Sequence, residues 1–143
     1  MSNNDNCPFC RMAKHELKPV VVHEDDEILA IMDLYPATPG HVLILPKQHI
    51  EDIFAMPSET GARIMAVAVS IAKVIMEQLH PSGLNLIQAN GAAAGQTISH
   101  FHLHMVPRYR DDSVTLRFGH GDTPEAIGEL ERIASLLRSG LNI

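Results

Sequence analysis

Five short apolar runs separated by turn residues predict five β-strands along the chain. Each run is five to seven residues long, which is the usual length of a strand. The acidic pair Asp25-Asp26 lies between the first two runs and predicts a hairpin, and Pro46 closes the third run. The predicted strands are residues 20–24, 27–33, 41–46, 84–89 and 101–107.

Two longer segments have the spacing of helices instead. Apolar residues recur at three- and four-residue intervals through 59–79, which predicts a long helix with Ser58 as its N-cap and an end before Pro81. A C-terminal helix is predicted to begin at Thr123-Pro124, and a turn with a short helix at 7–15. Strands joined by tight turns with one long helix among them predict an α+β fold with an antiparallel sheet.

The apolar residues of the long helix cover more than one stripe of its surface. A helix of that kind packs against its own sheet and needs a second covering surface. Full burial within one chain would provide that surface, and so would a homodimer, so both interpretations stay open at this point. The residues concerned are Ile64, Val67, Ala68, Ile71, Val74, Ile75 and Leu79.

Length and composition indicate one globular unit. The chain has 143 residues, of which 45% are hydrophobic and 20% charged, with no internal repeat or linker-like stretch. Its formal net charge of −6 has the wrong sign for a surface that wraps nucleic acid, although one nucleotide in a pocket is compatible with it. The polar start of the chain and the lack of an apolar stretch of about 20 residues predict a cytoplasmic protein without a membrane partner.

Three histidines alternate with apolar residues in the last predicted strand. Side chains two positions apart in a strand point the same way, so His100, His102 and His104 share one face. Packing gives no reason for three imidazoles in a row, whereas histidine suits chemistry near neutral pH. Same-face positions are about 6.6 Å apart, so a straight strand offers one metal ion two of these rings but hardly all three.

Nucleophilic catalysis is the other chemistry that aligned imidazoles support. A neutral imidazole can attack phosphorus and form a phosphoramide that water then cleaves. The segment 91–97 just upstream offers main-chain N–H groups, an amide and a hydroxyl for phosphate oxygens. It lacks the Lys of G-x-x-x-x-G-K-[ST], so it is not a nucleotide P-loop.

The run His100-Phe101-His102-Leu103-His104-Met105-Val106 resembles the signature of the histidine triad family, and further matching segments are 33–36, 40–49, 90–91 and 95–97. The resemblance implies an α+β fold: a five-stranded antiparallel sheet with one long helix and a C-terminal helix. It also implies a dimer in which two sheets join into a ten-stranded one. The likeness covers about residues 7–110 of a predicted single domain spanning 1–143, in which residues 111–143 are expected to form a C-terminal loop and helix.

The resemblance implies a role for each matching residue. His102 would attack the α-phosphate of a nucleotide and carry it as a nucleotidyl-histidine, with His104 on the phosphate and His41 supporting the cluster. Gln96 and Thr97 would complete the catalytic set by binding phosphate oxygens or the leaving group. The implied nucleotide-binding residues are Asp33 for the ribose, Asn90 and Gly95 on the phosphate side, and Phe9, Ile31 and Leu34 in the base pocket.

The activity that the resemblance implies is that of a nucleotide hydrolase or transferase acting at the α-phosphate. We expect a purine nucleoside phosphoramidase that releases AMP and an amine. A hydrolase of dinucleoside polyphosphates, such as diadenosine tetraphosphate, would use the same residues and the same intermediate, so it stays as an alternative. Two further alternatives are a hydrolase in which metal-bound water replaces His102 and an adaptor that binds a nucleotide without turning it over.

The two cysteines form a single Cys7-x-x-Cys10 motif close to the start of the chain. A redox pair of this kind lies between a strand and a helix, and no strand fits into the six residues before Cys7. Two inert buried cysteines or half of a metal site are the remaining interpretations from the residues alone. The resemblance implies one structural zinc per protomer, held by Cys7, Cys10, His49 and His100.

Overall fold

An antiparallel sheet with helices on both of its faces makes up the fold. The computed structural model describes residues 5–118 and 124–143. The strands are β1 (Val21–Glu24), β2 (Ile28–Met32), β3 (Val42–Pro46), β4 (Gly83–Ile87) and β5 (Leu103–Arg108), and the helices are α1 (Pro8–Ala13), α2 (Ser58–Leu79) and α3 (Ile127–Gly140). In these ranges no helix is long and apolar enough to cross a membrane.

The five strands form one sheet in the order β1-β2-β3-β5-β4, and every neighbouring pair is antiparallel. This confirms the predicted α+β fold and its five strands. Each strand lies within two residues of its predicted bounds. β5 begins at Leu103 rather than Phe101, because the amide of Phe101 donates to the main-chain oxygen of Ile50, outside the sheet.

Alternation along β3 places two apolar clusters on opposite faces of the sheet. Val42 and Ile44 pack with the buried residues of α2, whereas Leu43 and Leu45 pack with Phe9 of α1. Both faces of this central strand are covered, which is why its sequence is an uninterrupted apolar run. The cluster against α2 also holds the predicted core residues Phe101, Leu103 and Met105.

Helix α2 buries one face and leaves other apolar residues uncovered. It begins at Ser58, and Pro57 is its N-cap. The prediction of Ser58 as N-cap is therefore wrong by one residue, because the extended backbone of Pro57 already takes the capping position. Its buried residues are Ile64, Val67, Ala68 and Ile75. Its apolar residues that are 43–54% exposed are Met65, Val69, Val74, Met76 and Leu79. A single chain therefore does not cover the whole apolar surface of α2.

The bounds of the two shorter helices, α1 and α3, are narrower than the predicted ones or begin later. α1 lies inside the predicted turn and short helix, and the sulfur of Cys7 caps it by accepting from the amide of Cys10 at 3.5 Å. α3 begins at Ile127 rather than at Pro124, because Ala126 is still extended and takes the cap position. Thr123 lies outside the described residues. No residue of α3 is buried, and the single domain 1–143 stays a prediction.

Candidate active site and metal cluster

The ring of His102 is held by the main chain of a residue two positions before it. Its Nδ1 lies 2.8 Å from the main-chain oxygen of His100, and its ring centroid lies 5.1 Å from that of Phe9. A carbonyl oxygen only accepts, so Nδ1 carries the proton and Nε2 of the neutral ring keeps a lone pair. Every buried side-chain nitrogen of the described residues has a hydrogen bond, so the unbonded Nε2 of His102 is not fully buried.

His41 and His104 form a pair beside His102. Leu43 of β3 pairs with His104 of β5, so His41 lies diagonally across from His104 on the same face. His41 Nε2 is 2.9 Å from His104 Nδ1 and 3.4 Å from Oδ2 of Asp33. The ring centroids of His102 and His104 are 5.0 Å apart. The structure thus brings together the three histidines that were predicted to be catalytic.

Burial keeps the pair neutral at neutral pH. Burial, with smaller contributions from His102 and His41, lowers the pKa of His104 to about 4. Burial also lowers the pKa of His41, although the Asp33 carboxylate partly opposes this shift. A neutral imidazole has one N–H and one lone pair, so each of these rings can donate one hydrogen bond and accept one.

Two cysteines and two histidines converge where α1 meets the segment before β5. Cys7 Sγ lies 3.4 Å from His100 Nδ1, and Cys10 Sγ lies 3.2 Å from His49 Nδ1. The four ligand atoms all lie within 4.8 Å of one another. These are the four residues of the predicted metal site, and together they can hold a metal ion. Two sulfurs and two imidazoles form a donor set that is typical of structural zinc.

The protonation of these side chains also fits a metal ion. The Nε2–H of His100 donates to the main-chain oxygen of Pro46 at 2.8 Å, so the Nδ1 lone pair faces the sulfurs. Burial lowers the pKa of His100 to about 4, which keeps that lone pair free. Burial and the neighbouring Cys7 raise the pKa of Cys10 to about 11, so this thiol keeps its proton at neutral pH unless a cation binds.

The predicted phosphate-side residues lie in the segment that joins β4 to the histidines. Gln96 ties this segment down, since its Oε1 accepts from the amide of Gly91 at 2.8 Å and its Nε2 donates to the main-chain oxygen of Glu51 at 2.7 Å. Asn90 Oδ1 accepts from the amide of Ile53 at 2.8 Å. Both side chains therefore shape the loop. The other two predicted residues are exposed: Gly95 and Thr97.

Two of the three predicted base-pocket residues are buried together. Phe9 and Ile31 lie in the cluster between the sheet and α1. Leu34 is 82% exposed in the loop after β2, and the structure does not bring it into that cluster. Asp33, the predicted ribose ligand, accepts from the amide of Tyr35 through Oδ1 at 2.9 Å and turns Oδ2 toward His41.

Reasoning from the sequence missed two contacts of His41. It assigned Asp33 to the ribose alone, although the β2–β3 hairpin places Asp33 opposite His41, with its amide 3.0 Å from the His41 oxygen. The hairpin register was the signal that would have shown this contact. It also missed the amide of Ala37, which donates to His41 Nδ1 at 3.0 Å. A main-chain donor has no residue type of its own, so the sequence carries no signal for it.

Comparison with known proteins identifies the family. A family model described as the HIT domain matches residues 14–111. The chain belongs to the histidine triad (HIT) family. Protein hit from Bacillus subtilis strain 168 is 36% identical to it over 105 residues, which are 73% of this chain and 72% of that protein. An adenylylsulfatase from Arabidopsis thaliana is 35% identical over 108 residues, which are 76% of this chain and 55% of the plant protein.

Solved structures of HIT proteins share the fold. A HIT family protein from Bacillus anthracis superposes with a TM-score of 0.92 at 37% identity, over 96% of this chain and 99% of that one. A zinc-bound histidine triad family protein from Mycobacterium smegmatis superposes with a TM-score of 0.72 at 37% identity, again over 96% and 99% of the two chains. The resemblance found in the sequence is therefore confirmed.

Proposed function

We propose that this protein is a nucleotide hydrolase that works through a nucleotidyl-histidine on His102. One observation carries the proposal: Nδ1–H of His102 donates to the main-chain oxygen of His100 at 2.8 Å. That bond favours the neutral tautomer whose Nε2 lone pair can attack phosphorus. Family membership supports a nucleotide substrate, because the relative from A. thaliana is an adenylylsulfatase by name.

The proposed reaction consists of two displacements at the α-phosphorus. In the first, Nε2 of His102 forms an N–P bond while the bond from phosphorus to the leaving group breaks, and the leaving group takes up a proton from solvent, which the water of the second step returns. In the second, water attacks the same phosphorus, the N–P bond breaks, and the nucleoside monophosphate leaves. His104, Gln96 and Thr97 contact phosphate oxygens or the leaving group in this proposal, and His41 supports His104.

The nucleotide-binding part of the proposal keeps the residues predicted from the sequence. A carboxylate suits the two hydroxyls of a ribose, and Asp33 is only half-buried at the edge of the histidine cluster. Phe9 supports the base pocket because it already lies against His102, at 5.1 Å between ring centroids. The remaining members of the set are Ile31, Leu34, Asn90 and Gly95.

The proposed substrate is a purine nucleoside phosphoramidate, which gives AMP and an amine. Diadenosine tetraphosphate and adenylyl sulfate also place a leaving group on the α-phosphate of AMP, so His102 would attack all three alike. The leaving groups differ, because an amine needs a proton before it departs, whereas a phosphate or a sulfate departs as an anion. The neutral ring of His104 offers a hydrogen bond but no transferable proton, so an amine takes its proton from solvent and the choice of the phosphoramidate follows the resemblance seen in the sequence.

Intact-protein mass spectrometry during turnover tests the nucleophile. The wild type, mixed with an adenosine phosphoramidate and quenched rapidly at neutral to basic pH, should carry a transient adenylyl adduct and release AMP. His102→Ala should show neither. His15→Ala, which removes an exposed histidine that pairs with Glu24, is the matched control and should show both. Turnover that survives in His102→Ala would overturn the proposal in favour of metal-bound water.

A comparison of kcat/KM for the three adenylyl compounds tests the substrate. The phosphoramidate should have the highest value. A higher value for diadenosine tetraphosphate would assign the chain to polyphosphate hydrolysis through the same intermediate. Tight AMP binding without turnover of any of the three would identify a nucleotide-binding adaptor.

We also propose that Cys7, Cys10, His49 and His100 hold one structural zinc ion per chain. Four protein ligands close the coordination shell, so no position stays open for a catalytic water. The zinc-bound relative from M. smegmatis supports the identity of the metal. The ion would stabilise the contact between α1 and the segment before β5, while the attack on phosphorus stays with His102.

We propose further that two copies of the chain form a homodimer, with the sheets joined into ten strands. The uncovered apolar residues of α2 support a partner surface, and so does α3. Its apolar residues that are 40–78% exposed are Ile127, Leu130, Ile133, Leu136 and Leu137. A 14-residue helix without a buried residue is marginal in water on its own, so it needs another surface to pack against.

A further inference from the structure

The hydrogen bond of one main-chain amide bears on which ring nitrogen carries the hydrogen in two histidines of the candidate active site. The N–H of Ala37 points at Nδ1 of His41, with 3.0 Å between the nitrogens. An amide N–H only donates, so Nδ1 must accept and the hydrogen of neutral His41 lies on Nε2. That Nε2 is 2.9 Å from Nδ1 of His104. Nδ1 of His104 must then accept, which places its hydrogen on Nε2.

We propose that the main-chain amide of Ala37 is a positioning group for the reaction: it fixes His41 and, through His41, His104 as neutral Nε2–H tautomers. His104 then presents an N–H donor, never a lone pair, to the phosphate or the leaving group beside His102. The inference rests on the proposed function for its role in catalysis. The tautomers themselves follow from the geometry alone.

The loop that carries the amide is anchored to the strand that carries His104. The hydroxyl of Thr38 donates to the main-chain oxygen of Pro107 in β5 at 2.6 Å. The amide of His41 donates to the main-chain oxygen of Thr38 at 3.2 Å. These bonds tie the loop that carries the donor to His41 and to the strand of His104, which a tautomer lock requires.

The same hydrogen bonds argue against a second metal ion at this place. Ligand atoms of Asp33, His41 and His104 lie within 4.8 Å of one another, which is close enough for coordination. A metal would need a lone pair on His41 Nε2, yet the Ala37 amide already occupies the lone pair on Nδ1. To accept at Nδ1 and also bind a metal through Nε2, the His41 ring would have to lose its only proton. The hydrogen bonds from Ala37 to His41 and from His41 to His104 need no such ionisation, so the geometry favours them over a metal ion.

Nuclear magnetic resonance of ¹⁵N-labelled histidine reads the tautomers directly, in the wild-type protein with its metal and without a substrate. Long-range ¹H–¹⁵N correlations distinguish a protonated ring nitrogen from one with a lone pair. At neutral pH we expect the hydrogen on Nε2 in both His41 and His104. An Nδ1–H form or a doubly protonated ring for either histidine would overturn the inference. Because this readout needs no turnover, failure of the proposed function would leave it intact.

Ala37→Pro removes the donor, since proline has no amide hydrogen. We expect the Nδ1 of His41 to become partly protonated in this variant, whereas Ala37→Gly keeps the amide and the wild-type nitrogen pattern. Identical His41 spectra for Ala37→Pro and the wild type would refute the lock. Circular dichroism would first establish that Ala37→Pro is folded.

A pair of variants at His41 tests the inference without a change in the loop. Glutamine offers an N–H donor to His104 Nδ1, whereas glutamate of the same length offers only an acceptor. We expect His41→Glu to place a hydrogen on Nδ1 of His104 and to have a kcat at least about tenfold below that of His41→Gln, with a smaller effect on KM. Equal kcat values and equal His104 spectra for the two variants would contradict the inference.

Discussion

The main-chain oxygen of His100 accepts a hydrogen bond from Nδ1 of His102 at 2.8 Å, while the ring of His100 faces the sulfurs of the two cysteines. One residue therefore belongs to both clusters, through its main chain and through its imidazole. An ion bound by that ring would fix the peptide group that orients the proposed nucleophile, His102. Such an ion would influence the proposed reaction through position alone, which would distinguish it from a catalytic metal.

Cys10→Ser should therefore lower metal content and stability much more than chemistry. When the free metal concentration is about 1,000 times Kd, the bound ion contributes roughly 4 kcal/mol, and the loss should be of that order. Elemental analysis and thermal unfolding measure the two effects, with Ser99→Ala as the control beside the cluster. We expect kcat at a temperature where both proteins are folded to fall less than about tenfold. A fall in kcat as steep as that of His102→Ala would instead indicate a metal-bound nucleophile.

Chemical rescue tests whether the nitrogen of His102 itself attacks phosphorus. His102→Gly leaves a space beside Phe9, at the ring-to-ring distance of 5.1 Å, into which free imidazole can bind. The variant should lose at least about 10³-fold in kcat and should recover part of it when imidazole is added. Mass spectrometry should then detect adenylyl-imidazole as a product. His104→Gly in the same buffer should not form it, because its own nucleophile is present.

Much of the fold was predictable because local pattern and global packing agree in it. β3 is apolar at all five positions, Val42 to Pro46, and the structure covers both of its faces. Apolar residues recur every three or four positions in 59–79, and this spacing matches the single buried face of α2. The errors lie at ends, such as Ser58 and Pro124, where main-chain conformation rather than residue type decides the boundary.

The site was predictable where side chains carry the chemistry and not where the main chain does. Histidines and cysteines in a recognisable order led to all members of the two clusters. The donor at Ala37 and the acceptor at His100 are main-chain groups, so only a folded loop and strand reveal them. Leu34 shows a different limit of prediction. The resemblance assigned it to the base pocket, but a sequence match does not determine whether a side chain is buried, and Leu34 is 82% exposed.

The buried histidines predict a loss of stability in acid. Burial lowers the pKa of His104 to about 4, whereas the unfolded chain titrates near 6.5. Below pH 6.5 the unfolded state therefore binds a proton that the native state does not, so stability is present above that pH and is lost as pH falls toward 4. Denaturant unfolding at pH 7 and pH 4.5 should show a loss for the wild type that is larger, by on the order of 1–3 kcal/mol, than the loss for His104→Gln. Equal losses would indicate that His104 titrates normally in the native state.

The exposed side chain of Val69 distinguishes two ways in which α2 could meet a second copy. Val69 and Met65 are about half exposed on one side of the helix, whereas Ser70 lies on another side, along an apolar groove of about 680 Å³ between α2 and the sheet.

Val69→Glu and Ser70→Glu each add one negative charge in the same helical turn. A carboxylate buried in an interface without a partner costs several kcal/mol, so Val69→Glu should raise the dimer dissociation constant at least about 100-fold. Light scattering coupled to size exclusion should then show a monomer for Val69→Glu and a dimer for the wild type and Ser70→Glu. A monomer from Ser70→Glu alone would place the interface in the groove, and a monomeric wild type would contradict the homodimer.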